Sequence, residues 1–343
     1  MPFDGVTSTR PEHTDGASAE DLGSPNCPVC RSRQTLEGGS LTGPNGQEYE
    51  LRVCAQCGLA SLNVPDQSVL EACYGGEYFS QNAALNPSYR ARIKSHMELS
   101  ESPFAHKALR ALTIGWLPRP GAENSRMLDV GCGDGAAMER ARNLGWNAEG
   151  CEVDDTACAR ARARGFKCYS RDWWRKLPTD SYNLVLMNHV LEHLPDPLVA
   201  LSGVRASMTS DGKLLLGLPN NDSAWASVFG TLWWAHCPPQ HLWHFKVSHI
   251  ERLLAHCGLQ IEGVRVRNVL LDVLSPGAQW TAVRAAGWNA RRFLSAYYSA
   301  ASRSTLDRAL GRGPIVGEGC VYTLECRALD AEQGPGRDTF NTG

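Results

Sequence analysis

The chain has no run of about 18 apolar residues, which excludes a transmembrane helix. Its beginning, MPFDGVTSTRPEHTDGASAED, lacks an apolar stretch and carries acids, so it does not read as a secretory signal. The compartment expected is therefore the cytoplasm. Basic excess is missing too. Lys plus Arg number 34 against 36 Asp plus Glu, a formal charge of -2, which argues against a protein held chiefly by nucleic-acid backbones. No internal repeat stands out. What is present suffices for a large core: 343 residues, 43% apolar and 20% charged. The 13 cysteines, without an export signal, read as metal ligands or reduced thiols rather than a disulfide frame.

Texture divides the chain. Residues 1–23 and 331–343 are polar and aperiodic and are expected to be a disordered lead and tail. Residues 24–64 are turn-rich and hold two cysteine pairs, and 65–120 read as a helical connection. From residue 121 to 330 short apolar runs alternate with helical stretches. Strands are expected at 126–130, 147–152, 167–170, 182–188, 213–218, 260–266 and 320–327, with helices at 136–144, 155–164, 197–208 and 248–257. Strand alternating with helix predicts an α/β, doubly wound, mostly parallel sheet covered on both faces. Runs such as NLVLMN and LLLGLP suit strands buried on both sides. The stretch 271–319 is too long for a simple connection and carries aromatics at helical spacing, so a helical insertion is expected.

Cys27-Pro-Val-Cys30 and Cys54-Ala-Gln-Cys57-Gly58 are two C-x-x-C pairs separated by 23 residues. That spacing lets four thiolates surround one zinc ion, and the strand-like EYELRV before the second pair suits a zinc ribbon. Four protein ligands leave no open position, so the ion would be structural.

Met127-Leu128-Asp129-Val130-Gly131-Cys132-Gly133-Asp134-Gly135 carries the main chemical signal. A strand ends in an acid, and alternating glycines open a helix, allowing the backbone to approach a ligand. Asp129 before the glycines would repel a pyrophosphate and suit an amine-bearing ligand. Glu152 ends the next strand, where a carboxylate can accept both hydroxyls of a ribose. Asp172, after the third strand, could accept from an adenine amino group, with Trp173 against the ring.

In order and spacing, LDVGCGDG, GCEVD, SRDWW, DSYNLVLMNHVLEHLPDP, SDGKLLLGLPN and PPQHLWHF resemble a class I S-adenosylmethionine-dependent methyltransferase. CPVC, CAQCGL and YGGEYF resemble the zinc-bearing N-terminal segment of a bacterial subgroup of these enzymes. The resemblance implies a seven-stranded Rossmann-like methyltransferase sheet with its last strand antiparallel, preceded by an N-terminal zinc ribbon. It assigns cofactor contacts to Asp129, Gly131, Gly133, Gly135, Glu152, Asp172 and the backbone around Asn188. It also brings Tyr74, Tyr78 and Phe79 over the cofactor. Asn183 stands where an acid is commoner before the fourth strand, a position usually structural.

Histidine is the usual base near neutral pH. His189, Glu192 and His193 follow the fourth strand, and one helical turn would put them on one face. The group resembles the E-x-x-E-H motif of the ubiquinone-type O-methyltransferases, with His189 replacing the first acid, and could take a second divalent metal. His236, His241 and His244 follow the fifth strand. His241 is the first candidate for a substrate-facing base, with His189 and His193 beside it; a histidine that fastens this loop to the sheet is the competing role. Trp233, Trp234 and Trp243 would line an acceptor cavity or pack. Arg160, Arg162 and Arg164 read as a solvated helix face, and Cys132, Cys151, Cys158 and Cys168 as small core residues.

The function expected is methyl transfer from S-adenosylmethionine to a small-molecule acceptor, a sugar, glycolipid precursor or other secondary metabolite, at a hydroxyl with a histidine base. An RNA methyltransferase using the zinc segment for recognition, and a non-catalytic binding protein on the same scaffold, are the alternatives. The few basic residues of the zinc segment count against the first, and the intact glycine loop and acids against the second.

Overall fold

A computed structural model describes residues 26–43, 47–63, 117–170, 177–267, 286–309 and 321–329, together with Gln279, Val283 and Arg284. The expected lead and tail, the helical connection up to residue 116, Asp172, Trp173, Tyr74, Tyr78 and Phe79 lie outside the described residues.

Strands β1 (Thr35–Thr42), β2 (Glu48–Cys54) and β3 (Ala60–Leu62) come first. They are followed by β4 (Arg126–Val130), α1 (Ala136–Leu144), β5 (Asn147–Cys151), α2 (Asp155–Ala163), β6 (Lys167–Tyr169) and β7 (Tyr182–Asn188). Then come α3 (Pro197–Ser207), β8 (Met208–Pro219), α4 (Ala224–Phe229), β9 (Trp243–His244), α5 (Val247–His256), β10 (Leu259–Arg267), α6 (Ala290–Ala309) and β11 (Val321–Ala328). Local chemistry sets several helix starts. Asp154 accepts from the Thr156 and Ala157 amides, and Asp196 from those of Leu198 and Val199, with Pro197 in the first turn.

The main sheet has seven strands in the order β10-β11-β8-β7-β4-β5-β6. β6, β5, β4, β7 and β8 run parallel, while β11 is antiparallel to both β8 and β10. The central strands are buried on both faces: Leu184 to Met187 of β7 and Leu214 to Leu218 of β8 form continuous buried runs. Asn183 has a structural part, its Oδ1 accepting from the Arg126 amide at 3.0 Å where β4 begins. The order of strands reverses between β4 and β7. A crevice at the carboxyl ends of these two strands is therefore the expected ligand site.

The cysteine-bearing segment does not stand apart as a free ribbon. Its strands continue into β9, giving a second sheet β1-β2-β3-β9 in which Ala60 pairs with His244 and Ser61 with Trp243. On α5, His249 Nε2 lies 3.0 Å from the Cys57 carbonyl and His256 Nε2 3.1 Å from that of Val29, each ring nitrogen donating. Cys27, Val29, Cys54 and Leu59 share one buried cluster with Ile250, Leu253 and Leu254 of α5. Truncating one of these leucines would cost about 2–5 kcal/mol.

The described part of the expected insertion is α6, a single helix of 20 residues. Its Phe293, Tyr297 and Ala300 are buried with Trp225 and Phe229 of α4 and with Trp233. Arg160 and Arg162 are exposed on α2, as a solvated face requires, and Arg164 is half-buried just after it, yet two of the three also make contacts. Arg162 donates through Nε and Nη2 to the Cys168 carbonyl, and Arg164 pairs with Glu139 and Asp134. Among the described residues, no helix is long and apolar enough to cross a membrane.

Candidate active site

At the carboxyl ends of β4 and β7 lies a cavity of about 400 Å³ lined by Asp129, Gly131, Cys132, Gly133, Asp134, Ala136, Ala137, Arg160, Leu186 and Asn188. The loop between β4 and α1 is sewn down by the Gly131 and Cys132 amides, both donating to the Cys151 carbonyl. Gly131 has φ +72°, and a Cβ there would come within 2.5 Å of Val190 Cγ2, so the turn admits no side chain. Gly133 and Gly135 are left-handed as well. This backbone-walled cradle has the shape a nucleoside-bearing ligand needs.

Asp129 is buried at its floor, 4% exposed. Burial, reinforced by Glu152, pushes its carboxyl up to about 8. A cationic ligand would relieve that penalty. Glu152 Oε2 accepts from the Gly133 amide at 2.8 Å and its Oε1 from Asp154 at 3.0 Å. Its carboxylate thus ties the glycine loop to the end of β5, beside the cavity wall rather than within the lining. Asn188 ends β7 and lines the cavity, its side chain against Gly217, where a Cβ would meet Oδ1 at 2.3 Å.

The histidine cluster begins one residue further on. His189 has φ +55°, outside any helix, and the turn that follows is a short 3-10 turn, Leu191–His193. The expected helical face therefore does not form, yet two members still meet. His189 Nδ1 lies 3.2 Å from Glu192 Oε1, with the His189 side chain 39% exposed and that of Glu192 1%. A carboxylate on Nδ1 favours the tautomer with its proton there and a free lone pair on Nε2.

His241 is buried and His193 half-buried instead, rings edge to face with centroids 4.6 Å apart. His193 Nδ1 lies 3.1 Å from the Gln240 carbonyl and His241 Nδ1 2.7 Å from that of Ala235, so both donate through Nδ1 and keep Nε2 unprotonated. Burial pushes His241 down to about 3 and lowers His193 as well. Burial alone would raise Glu192, but the His189 hydrogen bond and the neighbouring imidazoles outweigh it and hold the carboxyl at about 2. Its second oxygen, Oε2, is buried with no hydrogen-bond partner. Ligand atoms of Glu192, His193 and His241 all lie within 4.8 Å of one another. The metal-ligating geometry thus joins His241, not His189, to the Glu192–His193 pair.

His236 and His244 belong to a neighbouring aromatic group. Their ring centroids are 4.7 Å apart, His236 is 5.3 Å from Trp233, and burial holds both imidazoles neutral, His236 at about 4. Trp243 donates to the Leu194 carbonyl at 2.8 Å, a fastening role.

The four cysteines converge as their spacing predicts. The sulfurs of Cys27 and Cys57 are 3.6 Å apart and those of Cys30 and Cys54 3.4 Å, with all four within 4.8 Å. Tetrahedral thiolate coordination of zinc needs sulfurs about 3.8 Å apart, so the set fits the ion. A hydrogen bond from Cys57 pulls the Cys27 thiol down to about 5, while the same bond pushes Cys57 up and burial raises Cys30.

Residues 94–264 match the family described as methyltransferase domain. With the strand order and the glycine-loop cavity, that match decides the family. The chain belongs to the class I S-adenosylmethionine-dependent methyltransferases. Among the relatives of this methyltransferase is a ubiquinone biosynthesis O-methyltransferase of Xanthomonas oryzae pv. oryzae, 27% identical over 154 residues, 41% of this chain and 64% of that protein. Another, from Bordetella parapertussis, is 29% identical over 100 residues, 26% of this chain and 42% of the relative. The chain thus spans less than two thirds of the length of either relative. A solved S-adenosylmethionine-dependent methyltransferase from Mesorhizobium loti is 20% identical and covers 64% of this chain and 96% of its own, with a TM-score of 0.40.

Sequence reading missed the contacts of His249 and His256 with the cysteine-bearing segment and the place of Arg160 in the methyltransferase cavity. Nothing in a lone histidine on an amphipathic helix announces a partner about 190 residues earlier in the chain.

Proposed function

We propose that the protein transfers a methyl group from S-adenosylmethionine to a hydroxyl of a small-molecule acceptor, with His189 as the proton acceptor. The carrying observation is the His189–Glu192 pair, one residue beyond Asn188 at the cavity, with the His189 side chain 39% exposed. The cofactor supplies an electrophilic methyl on a sulfonium. Asp129 would hold its cationic amino-acid end, Gly131, Gly133 and Gly135 would admit it against the backbone, and Glu152 would turn from the Gly133 amide to the ribose hydroxyls. Asp172 is assigned to the adenine by resemblance. His189 Nε2 would take the acceptor proton while Glu192 stabilises the imidazolium that forms. The lowered proton affinity of their imidazoles withdraws His241 and His193 from that role. Relatives named for O-methylation favour oxygen as the acceptor atom.

Two metal assignments accompany this reading. Cys27, Cys30, Cys54 and Cys57 would hold a structural zinc. Glu192, His193 and His241 would take a divalent cation, because both Nδ1 protons are fixed on carbonyls and the orphaned Glu192 Oε2 lacks a partner. Manganese added to zinc-loaded protein should lose its free-ion resonance signal in wild type and keep it in His241→Ala.

Zinc-loaded protein should be incubated with labelled S-adenosylmethionine and three acceptor sets: nucleotide-linked sugars, phenols and ribosomal RNA. Label in a sugar or phenol that falls roughly 100-fold or more in His189→Ala supports the reading. Label confined to RNA overturns the acceptor class.

A further inference from the structure

Three cysteines that the reaction does not use meet beneath the cofactor loop. Cys132 lies within that loop between Gly131 and Gly133, Cys158 on the buried side of α2, and Cys168 on β6. Cys158 and Cys168 sulfurs are 2.6 Å apart, and Cys132 approaches Cys168 from the other side at 3.7 Å. The approach is built in. A Cβ at Gly150 would come within 2.6 Å of the Cys132 sulfur, so only glycine on β5 lets that sulfur pass through to β6. Arg162 holds Cys168 from the far side, its guanidinium donating to the Cys168 carbonyl at 2.7 Å.

We propose that Cys132, Cys158 and Cys168 form a peroxide-responsive thiol set, in which oxidation closes a Cys158–Cys168 disulfide under the cofactor loop. Two independent observations carry it. The Cys158–Cys168 separation is within about 0.6 Å of a covalent bond, so pairing needs a side-chain adjustment and no movement of α2. Cys132, in contact with Cys168, lines the cavity, which gives a small oxidant its path. The acid–base order supports the roles. Hydrogen bonds, chiefly from Cys132, lower the Cys168 thiol to about 7, whereas burial pushes Cys158 up to about 12, and the hydrogen bond with Cys168, with burial behind it, pushes Cys132 up. Cys151, without such neighbours, is raised by burial and has no part.

The chemistry balances with hydrogen peroxide as oxidant. The Cys168 thiolate attacks one peroxide oxygen, the O–O bond breaks, and the departing hydroxide takes a proton to become water. Cys168 is then a sulfenic acid. The Cys158 sulfur attacks the Cys168 sulfur, the S–O bond breaks, and the hydroxyl leaves as water with the Cys158 proton. Two thiols and one peroxide give one disulfide and two waters. The disulfide draws Cys168 away from Cys132, so the loop whose Gly133 amide holds Glu152 loses its anchor from below.

Access through the cavity rests on reading that cavity as the cofactor site, and the experiment separates the two ideas. Zinc-loaded full-length protein is treated with hydrogen peroxide, alkylated, and digested with trypsin. The expected product joins peptide 143–160 to peptide 168–171 with a loss of about 2 Da, and fragmentation assigns the bond to Cys158 rather than Cys151 in the same peptide. In Cys158→Ser, Cys168 should instead be trapped as a sulfenic acid by a dimedone probe, a readout needing no disulfide. No linkage in wild type and no trapping in the variant overturns the proposal, as does a linkage through Cys132 or Cys151. S-adenosylhomocysteine at roughly tenfold its dissociation constant fills about 90% of cavities and should slow linkage about tenfold. An unchanged rate, with the ligand shown to bind, overturns the cavity route. Absence of ligand binding would instead overturn the cofactor reading and leave the thiol chemistry standing.

Discussion

Asp129 should make cofactor affinity depend on pH in a way that one substitution removes. Its carboxyl sits at about 8 in the free protein, so near neutrality most molecules carry it protonated. The cofactor's ammonium is held by the ionised form, so binding must expel that proton. From about pH 8.5 to about pH 6.5 the ionised fraction falls roughly 25-fold, which weakens binding by about 2 kcal/mol. The ammonium titrates too, but equally for wild type and Asp129→Asn, so it cancels in the ratio of their affinities. Calorimetric titration of both proteins across that range gives the ratio, and repeating it in two buffers of different ionisation heat counts the protons released. Expected are a wild-type advantage growing with pH and close to one proton lost at pH 7. Stability carries the opposite sign. The folded value exceeds the unfolded one near 3.8, so the native state keeps a proton the unfolded chain has lost. Stability should therefore drop as pH rises from about 4 to about 8, by at most about 1.4 kcal/mol per pH unit, and Asp129→Asn should flatten that slope. A pH-independent affinity ratio with no proton release would refute the burial argument.

Stripping zinc should lower the melting temperature by roughly 10 °C and free the 26–63 segment to hydrogen exchange; unchanged melting of verified metal-free protein would remove zinc from the fold. His189→Ala should leave cofactor affinity within about twofold while turnover falls roughly 100-fold or more, and His241→Ala should chiefly destabilise, by about 1–3 kcal/mol. The reverse ordering in turnover would return His241 to the chemistry. Gly150→Ala places a methyl against Cys132 and Met138 and should cost about 1–3 kcal/mol in denaturant unfolding, together with weaker cofactor binding. A neutral Gly150→Ala would mean that the loop has slack in it.

The sheet was legible because its signals are local. Buried runs such as NLVLMN and glycines with an acid before them each act within a few residues. Strand limits moved by only a residue or two, except that β8 begins at Met208 rather than at residue 213, because the buried Met208 already pairs with Tyr182. The histidines were legible by type but not by place. The sequence put His241 first as a base with His189 and His193 beside it, and only the path of the backbone reverses that order. His189 stays near solvent because φ +55° turns the chain, whereas His193 and His241 are drawn inward to meet carbonyls 47 and 6 residues away. No periodicity encodes that difference. The cysteine pairs were legible as a ligand set, but their sheet's pairing with β9 was not, since the shared strand is only two residues long.

That short strand gives the zinc segment a consequence for the acceptor side. β9 pairs with β3, and the residues just before it, from Trp233 to Leu242, carry His236 and His241 and meet Glu192 through the Leu242 amide on its carbonyl. Leu62 donates to the Leu242 carbonyl at 2.9 Å, so one residue is held from both sides, by the cysteine-bearing sheet and by the turn after β7. Among the described residues, by contrast, the hydrogen bonds that anchor the glycine loop run to Cys151 and Glu152 and none to the cysteine-bearing segment. Zinc loss should therefore spare cofactor binding more than it spares manganese binding at Glu192, His193 and His241. Titrating both ligands on the same metal-stripped sample tests this ordering. Equal loss of the two would mean that the zinc segment supports the whole sheet rather than the loop it pairs with.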